Sequence, residues 1–255
     1  MKLSIVTVHL NDLDGLGQTA QSLQSQFEIE DSQWIVIDGG TNSQTPSDSQ
    51  TFATVDKLAS IFVSEADNGI YDAMNKGTRA AAGDYVLFLN AGDELHPGFS
   101  WPRLAAQIAE DEPGMVWGTC HERYSDDRLV KVKNRSPGLA WYGIPVNHQN
   151  VLFRRDLLGS EPYDGDFIYC ADYDLIGRLL GQNCSVHLTD MPVAIFQRGG
   201  ASAQNFRQTM REEELLRTRH FGVNPVFSRL ITRFKTFNHK AGQIPAVRRL
   251  MRKWV

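Results

Sequence analysis

Cysteine is scarce: Cys120, Cys170 and Cys184 are the three in 255 residues, and none stands in C-x-x-C spacing. An odd, scattered set builds neither a disulfide framework nor a cysteine zinc site, and it fits a reducing compartment. Long apolar runs are lacking as well; no stretch approaches the roughly 20 residues that cross a bilayer, so no membrane-spanning segment is expected. The apolar run Met1 to Val8 is broken by Lys2 and Ser4 and followed by Asn11, Asp12 and Asp14, a pattern too short and interrupted for a signal peptide. There is no G-x-x-x-x-G-K-[ST] phosphate loop. Asn11 to Gly17 stands where a G-x-G-x-x-G would follow the first strand, which disfavours P-loop hydrolysis and ordinary dinucleotide redox chemistry. Acidic residues are missing from the last thirty positions: 226 to 255 hold eight Arg or Lys and no Asp or Glu, leaving 18 basic against 30 acidic side chains before them. A charge split of this kind points to an anionic partner, with nucleic acid and membrane headgroups as the candidates.

What is present reads as one α/β domain. Leu3 to Val8 forms a strand, and Leu13, Leu16, Ala20, Leu23 and Phe27 recur at helical spacing. Trp34 to Ile37 is continuously apolar, as a strand buried on both faces is, and ends at Asp38-Gly39-Gly40. A polar loop from Thr41 to Gln50 contains Pro46. A strand at Ile61 to Val63, a helix from Ile70 to Ala82 and a strand from Tyr85 to Leu89 complete a Rossmann-like order. Beyond it the pattern predicts a helix near Phe99 to Ala109, strands near 115–117, 151–153 and 193–196, a loop over Gly138 to His148, and a helix from Asp172 to Leu180. The one plausible boundary lies near Gly199 to Asn205.

Ligands of open parallel sheets bind beyond the carboxyl ends of the strands. Asp38, Asp67 and Asp93 all stand there. Any one of them beside glycine reads as a turn former or cap; three at one sheet edge can bind ribose hydroxyls, a base N–H, or a cation against a diphosphate.

The blocks Thr7-Val8-His9-Leu10-Asn11, Ile37-Asp38-Gly39-Gly40-Thr41, Ser64 to Gly77, Gly83 to Asp93, His148-Gln149, Ala171-Asp172-Tyr173-Asp174 and Gly199-Gly200-Ala201-Ser202 share an order and spacing. In these the sequence resembles inverting glycosyltransferases of family 2, with the GT-A fold, and looks most similar to those of exopolysaccharide clusters such as colanic acid synthesis. The resemblance implies a mixed central sheet flanked by helices over residues 1–200, with a nucleotide-sugar-binding half (1–94) and an acceptor-side half (95–200). Residues 201–255 would be a basic, amphipathic helical extension. It implies that Asp38 contacts the nucleobase, with His9 and Asn11 near base or ribose, and that Asp67 and Asn75 lie beside the nucleoside. Asp93 would hold Mg²⁺ or Mn²⁺. Where many relatives carry Asp-x-Asp, this chain has Asn90-Ala91-Gly92 before its sole Asp93; the cation would then lean on water and phosphate, with Asn90 as a neutral oxygen.

Asp172 aligns with the family's general base, which takes the acceptor hydroxyl's proton as the new bond forms. Read alone, it caps the helix it begins; within the motif set it is the base, and Asp174 is a solvated or supporting residue. His148 and Gln149 are placed near the acceptor or the diphosphate. Arg198, Gly199 and Gly200 form either a loop that closes over the diphosphate or an ordinary turn.

In the tail, Phe227, Leu230, Ile231 and Phe234 share one helical face, and Ile244, Val247, Met251 and Trp254 repeat the spacing, each set flanked by Arg or Lys. Such helices lie in a headgroup layer or pack on the domain. The expectation is therefore a transferase using a UDP- or GDP-sugar and a lipid-linked saccharide acceptor, cytoplasmic and peripheral on the inner membrane face, without a nucleic-acid partner. A noncatalytic nucleotide-sugar-binding or scaffolding subunit and a nucleotidyltransferase are the alternatives.

Overall fold

The computed structural model describes residues 1–24, 32–41, 46–124, 126–198 and 205–243. Among these residues nine strands form one mixed sheet in the order β3-β2-β1-β4-β8-β6-β9-β5, with β7 paired to β6. The first half follows the apolar runs: β1 (Leu3–His9), β2 (Ser32–Asp38), β3 (Ile61–Ser64) and β4 (Tyr85–Phe88) are parallel, β1 lying between β2 and β4. Strand order reverses at β1, and the crevice beyond the carboxyl ends of β1 and β4 is where an open sheet accepts a ligand. β8 (Val151–Arg154) then runs antiparallel to β4.

Helices cover both faces because the strands are apolar on both. α1 (Leu13–Gln24) buries Leu16, Ala20 and Leu23, and its first turn is capped by Asp12, whose Oδ1 accepts from Gly15 N at 2.9 Å. α3 (Ile70–Ala80) lies so close to β1 that a Cβ on Gly77 would stand 2.2 Å from Val6 Cγ1. Between them α2 (Pro46–Leu58) occupies the second part of the span read as a loop; Pro46 opens the helix, where a missing N–H costs nothing.

The second half departs further from the simple reading. β5 (Glu94–Leu95) precedes α4 (Trp101–Ile108), β6 extends over Met115–Arg123, and β7 (Leu129–Val132) folds back on it. β9 runs twelve residues, Val186–Gln197, instead of four. The stretch expected as a loop contains short 3₁₀ turns at Pro137–Tyr142 and His148–Asn150.

α5 (Ala171–Gly181) packs against α6 (Phe206–Phe221), and α6 against α7 (Pro225–Gln243). The helices after residue 205 are thus seated on the sheet domain. The anchor is Arg217, fully buried, which donates to Glu213 Oε2 at 2.9 Å and to Ser228 Oγ at 3.0 Å. Among the described residues no helix is long and apolar enough to cross a membrane.

Candidate active site

A cavity of about 560 Å³ opens beyond β4, and its walls include Asn90, Asp93, His148, Gln149, Asp172 and Arg198. These come from four segments spread over more than a hundred positions. A larger hollow of about 740 Å³ adjoins it, sharing Asp12, Gly92 and Gln197, and is lined by Asp14, Glu94, Arg123 and Tyr124. Asp93 and Asp172 both line the smaller one.

Asp93 sits on the turn that follows β4, where Gly92 adopts φ +88° and so admits no side chain without strain. Thr19 of α1 holds this turn: its hydroxyl donates to Asp93 O at 2.7 Å and accepts from Gly92 N at 3.2 Å. The Asp93 carboxylate is 4% exposed, with Gln149 Nε2 donating to Oδ2 and Gln197 N donating to Oδ1, both at 3.1 Å. Burial pushes its pKa up to about 7, against the pull of those two hydrogen bonds and of His148. Asn90 Oδ1, beside it, is buried and has no hydrogen-bond partner. An oxygen left that way can accept from water or coordinate an ion.

Among the described residues no cluster of three or more His, Cys, Asp or Glu side chains gathers to hold a metal. One carboxylate and one orphaned amide oxygen do fit Mg²⁺ or Mn²⁺ that draws its remaining ligands from diphosphate and water.

Asp172 is not the cap of its helix. Cys170 occupies that position and Asp172 lies within the first turn, its Oδ1 accepting from Tyr173 N at 2.8 Å. Its Oδ2 lies 3.3 Å from His148 Nδ1, and the side chain keeps 17% exposure toward the cavity. His148 Nε2 is buried and unpartnered. The dipeptide His148-Gln149 therefore joins the two carboxylates, one residue to each.

The segment leading into α5 is held by a residue the sequence reading passed over. Glu212, on α6 and 6% exposed, accepts from Tyr169 N at 2.9 Å, Cys170 N at 3.0 Å and Ile168 N at 3.3 Å. Its sequence signal is faint, a Glu in the run Glu212-Glu213-Glu214 of a polar helix. Asp174 is buried, not solvated; it accepts from His220 Nε2 at 2.7 Å and Arg219 at 3.3 Å, so its part is the supporting one.

The nucleotide-side residues divide. Asp38, 1% exposed, accepts from Thr41 N at 2.9 Å and Ser64 Oγ at 2.7 Å, which frames the loop after β2. Burial alone would raise its pKa, but the hydrogen bonds from Ser64 and Thr41, with His9 nearby, bring it below the usual range. His9 Nε2 is 3.5 Å from Asp38 Oδ1, outside hydrogen-bond geometry; burial lowers the imidazole pKa against the attraction of Asp38 and Asp12. His9 thus lies beside Asp38, the residue expected at the nucleobase. Asn11 is exposed at φ +54°, its N–H donating to Thr41 Oγ1 at 2.8 Å. Asp67 is half-buried beside Gly39 and accepts from Gly69 N at 2.9 Å.

Asn75 donates its amide to Tyr163 O and accepts from Tyr163 N, both at 2.9 Å, so it clasps a backbone segment; like Asp38 and Asp67, it lies outside the cavity lining. Tyr163 in turn stacks on Tyr71, a cavity residue, at 5.4 Å. Arg198 pairs with Glu122 at 3.2 Å and lies over the Tyr124 ring at 4.5 Å. Gly199 and Gly200, with the loop reading placed on them, lie outside the described residues, as do Ile244, Val247, Met251 and Trp254.

Among solved structures, residues 1–349 of S. aureus TarS superpose with a TM-score of 0.64 at 17% identity, over 91% of this chain and 69% of that one. The same TarS fragment in complex with UDP-GlcNAc gives 0.63 at 16% identity, over 91% and 70%. The chain thus has the GT-A type of mixed sheet. A PGL/p-HBAD biosynthesis glycosyltransferase of Mycobacterium bovis is 32% identical over 170 residues, covering 62% of this chain, and the chain spans 60% of that relative's length. An uncharacterized glycosyltransferase of Mycobacterium tuberculosis is 33% identical over 190 residues, 69% of this chain and 68% of the other. Residues 4–175 match the model of glycosyl transferase family 2, and the chain belongs to that family.

Proposed function

We propose that the chain is a metal-dependent inverting glycosyltransferase. It moves a hexose or deoxyhexose from a UDP- or GDP-sugar to a hydroxyl of a lipid-linked oligosaccharide, at the inner face of a bacterial membrane. The sequence blocks favour an exopolysaccharide setting of the colanic-acid type; the UDP and UDP-GlcNAc complexes of TarS favour a uridine donor. The observation that carries the reading is one cavity with a buried Asp93 on one wall and a partly exposed Asp172 on another, joined through His148-Gln149.

Asp172 takes the proton of the acceptor hydroxyl. A carboxylate suits this because it can accept a proton, and both its oxygens are already oriented, one by Tyr173 N and one by His148. Attack from its side, opposite the nucleotide, inverts the anomeric centre. Asp93 and Asn90 would hold the cation, and Gln149 and Gln197 N keep the Asp93 carboxylate aimed. The cation, when bound, disperses charge on the departing diphosphate. Asp38 and Asp67 shape the nucleoside end, and Arg198 supplies positive charge at the rim.

The test is a panel of UDP- and GDP-sugars with lipid-linked and simple-sugar acceptors, with and without Mn²⁺, followed by nucleoside diphosphate release and by the anomeric configuration of the product. Release of pyrophosphate would point to a nucleotidyltransferase instead. Tight nucleotide binding with no release from any donor would make the chain a noncatalytic sugar-nucleotide-binding subunit.

A further inference from the structure

Three features of the surface coincide around α7. Phe227, Leu230, Phe234 and Phe237 repeat at three and four residues along it and are 50%, 53%, 57% and 69% exposed. Large apolar side chains so exposed in a row are not the scattered singles of an ordinary surface. Ile231, expected on that face, turns inward with Ser228 and packs on the domain. Along the solvent edge of the apolar row run Arg233 and Lys240, both exposed, with Arg229 beside them paired to Glu214 at 3.4 Å, and no acidic residue occurs from 226 to 255.

The second feature was not legible in the sequence. The turn Pro137–Tyr142 meets this helix: Trp141 stacks on Phe227 with ring centroids 6.3 Å apart and planes at 24°, and Leu139 is 45% exposed. Lys133 and Arg135, just before the turn, are exposed as well. Helix and turn thus make a joint surface, an apolar centre with a cationic border.

The third feature is its distance from the chemistry. Ala140 O in that turn accepts the hydroxyl of Tyr173, the residue after Asp172. On the helix's inner side Lys235 donates to Glu213, which lines the cavity, and lies 4.7 Å from the Tyr142 ring.

We infer that α7 and the Pro137–Tyr142 turn form a docking surface for an anionic lipid bilayer, with the aromatic and Leu side chains in the acyl boundary and the Arg and Lys side chains among the phosphates. This deepens the reading of a lipid-linked acceptor and rests on it for its purpose: the cavity mouth is set at the interface where such an acceptor's saccharide begins. The bilayer is favoured over a protein partner by charge complementarity, since cations border the apolar row and the twelve residues after it, 244–255, add Arg248, Arg249, Arg252 and Lys253.

The experiment is co-sedimentation of the full chain with vesicles of phosphatidylcholine alone and of phosphatidylcholine with phosphatidylglycerol. Trp fluorescence is read in a Trp254→Phe background, since Trp141 is the one tryptophan among the described residues that is not buried. The expected result is binding to anionic vesicles that salt weakens, with a blue shift of the emission. Phe234→Ser with Phe237→Ser lowers the partition by about tenfold or more, and Arg233→Glu with Lys240→Glu does likewise. Neither pair changes the melting temperature or nucleotide affinity, because all four side chains are exposed. Vesicle binding unaffected by both pairs overturns the proposal. So does a concentration-dependent dimer that the Phe pair abolishes without any vesicle binding, or equal binding to DNA that depends on the cations alone. Nucleotide binding, measured in parallel by calorimetry, separates failure of this surface from failure of the transferase reading.

Discussion

Gln149 donates its side-chain amide to Asp93 Oδ2 at 3.1 Å, while the residue before it, His148, stands 3.3 Å from Asp172 Oδ2. Two carboxylates 79 positions apart in the chain are thereby indexed to one 3₁₀ turn, His148–Asn150. Anything that shifts this turn moves both ends of the site together. Gln149→Leu removes the donor and leaves a buried carboxylate short of a hydrogen bond, an effect of roughly 1–3 kcal/mol. The expected outcome is weaker metal-dependent nucleotide binding and a lower kcat, with the fold retained by circular dichroism. Gln149→Glu should be worse, since it sets two acids against each other.

Asp172→Asn keeps the shape and removes the basicity. Turnover should fall by about 10²–10⁴-fold, the usual contribution of a positioned base, with nucleoside diphosphate affinity changed by no more than a few fold. Calorimetry and a diphosphate-release assay on the same preparation measure both. Turnover equal to the parent's would take the base away from this residue.

Asp93 gives a pH signature. Burial raises its folded pKa to about 7, above that of the unfolded chain, so the folded state holds its proton more tightly. The group's contribution to stability is therefore full below about pH 4 and is lost as pH rises through 7. Asp93→Asn imitates the protonated form, and Gln149 can turn its amide to suit it. Without divalent cation, the variant should be more stable than the parent at pH 8, by roughly 2–4 kcal/mol, and the advantage should vanish toward pH 4. Urea titrations at several pH values decide it; a pH-independent difference would contradict the burial argument.

Glu212→Gln leaves Tyr169 N, Cys170 N and Ile168 N with one weaker, neutral acceptor. Loss of charge-assisted bonds predicts destabilisation of about 1.5–3 kcal/mol. Because those groups fix the entry to α5, kcat should fall more than the donor KM rises, although Glu212 does not line the cavity.

Gly77→Ala tests the packing of α3 on β1. The added methyl would meet Val6 Cγ1 at 2.2 Å, and overpacking of this kind costs about 1–3 kcal/mol. Thermal melts should show it, and adding Val6→Ala should restore part of the loss.

Much of this was legible before any coordinates. The parallel core β2-β1-β4 was, because continuous apolar runs such as Trp34 to Ile37 are what a strand buried on both faces requires. That Asn90 and Asp93 stand beyond β4 was legible for a similar reason, since residues at strand ends are placed by the strands. The partner of Asn75 was not legible, because a helix position fixes a direction but not a partner; Tyr163, 88 residues on, claims both ends of its amide. β5, β7 and most of β9 were missed because β5 is two residues long and the residues of β7, and of β9 from Val186 to Asp190, stay half exposed or exposed, so no buried apolar run marks them.

By itself the sequence determined the family, the strand-end acids and the basic, apolar tail, since these are matters of residue type, order and period. Tertiary structure alone decided which acids share a cavity, that Cys170 and not Asp172 heads α5, that Glu212 holds its approach, and that Trp141 joins Phe227 on one surface. The physical reason is the same for all four. Each is a contact between segments far apart in the chain, settled by how helices and turns pack on the sheet, and no local pattern carries that distance.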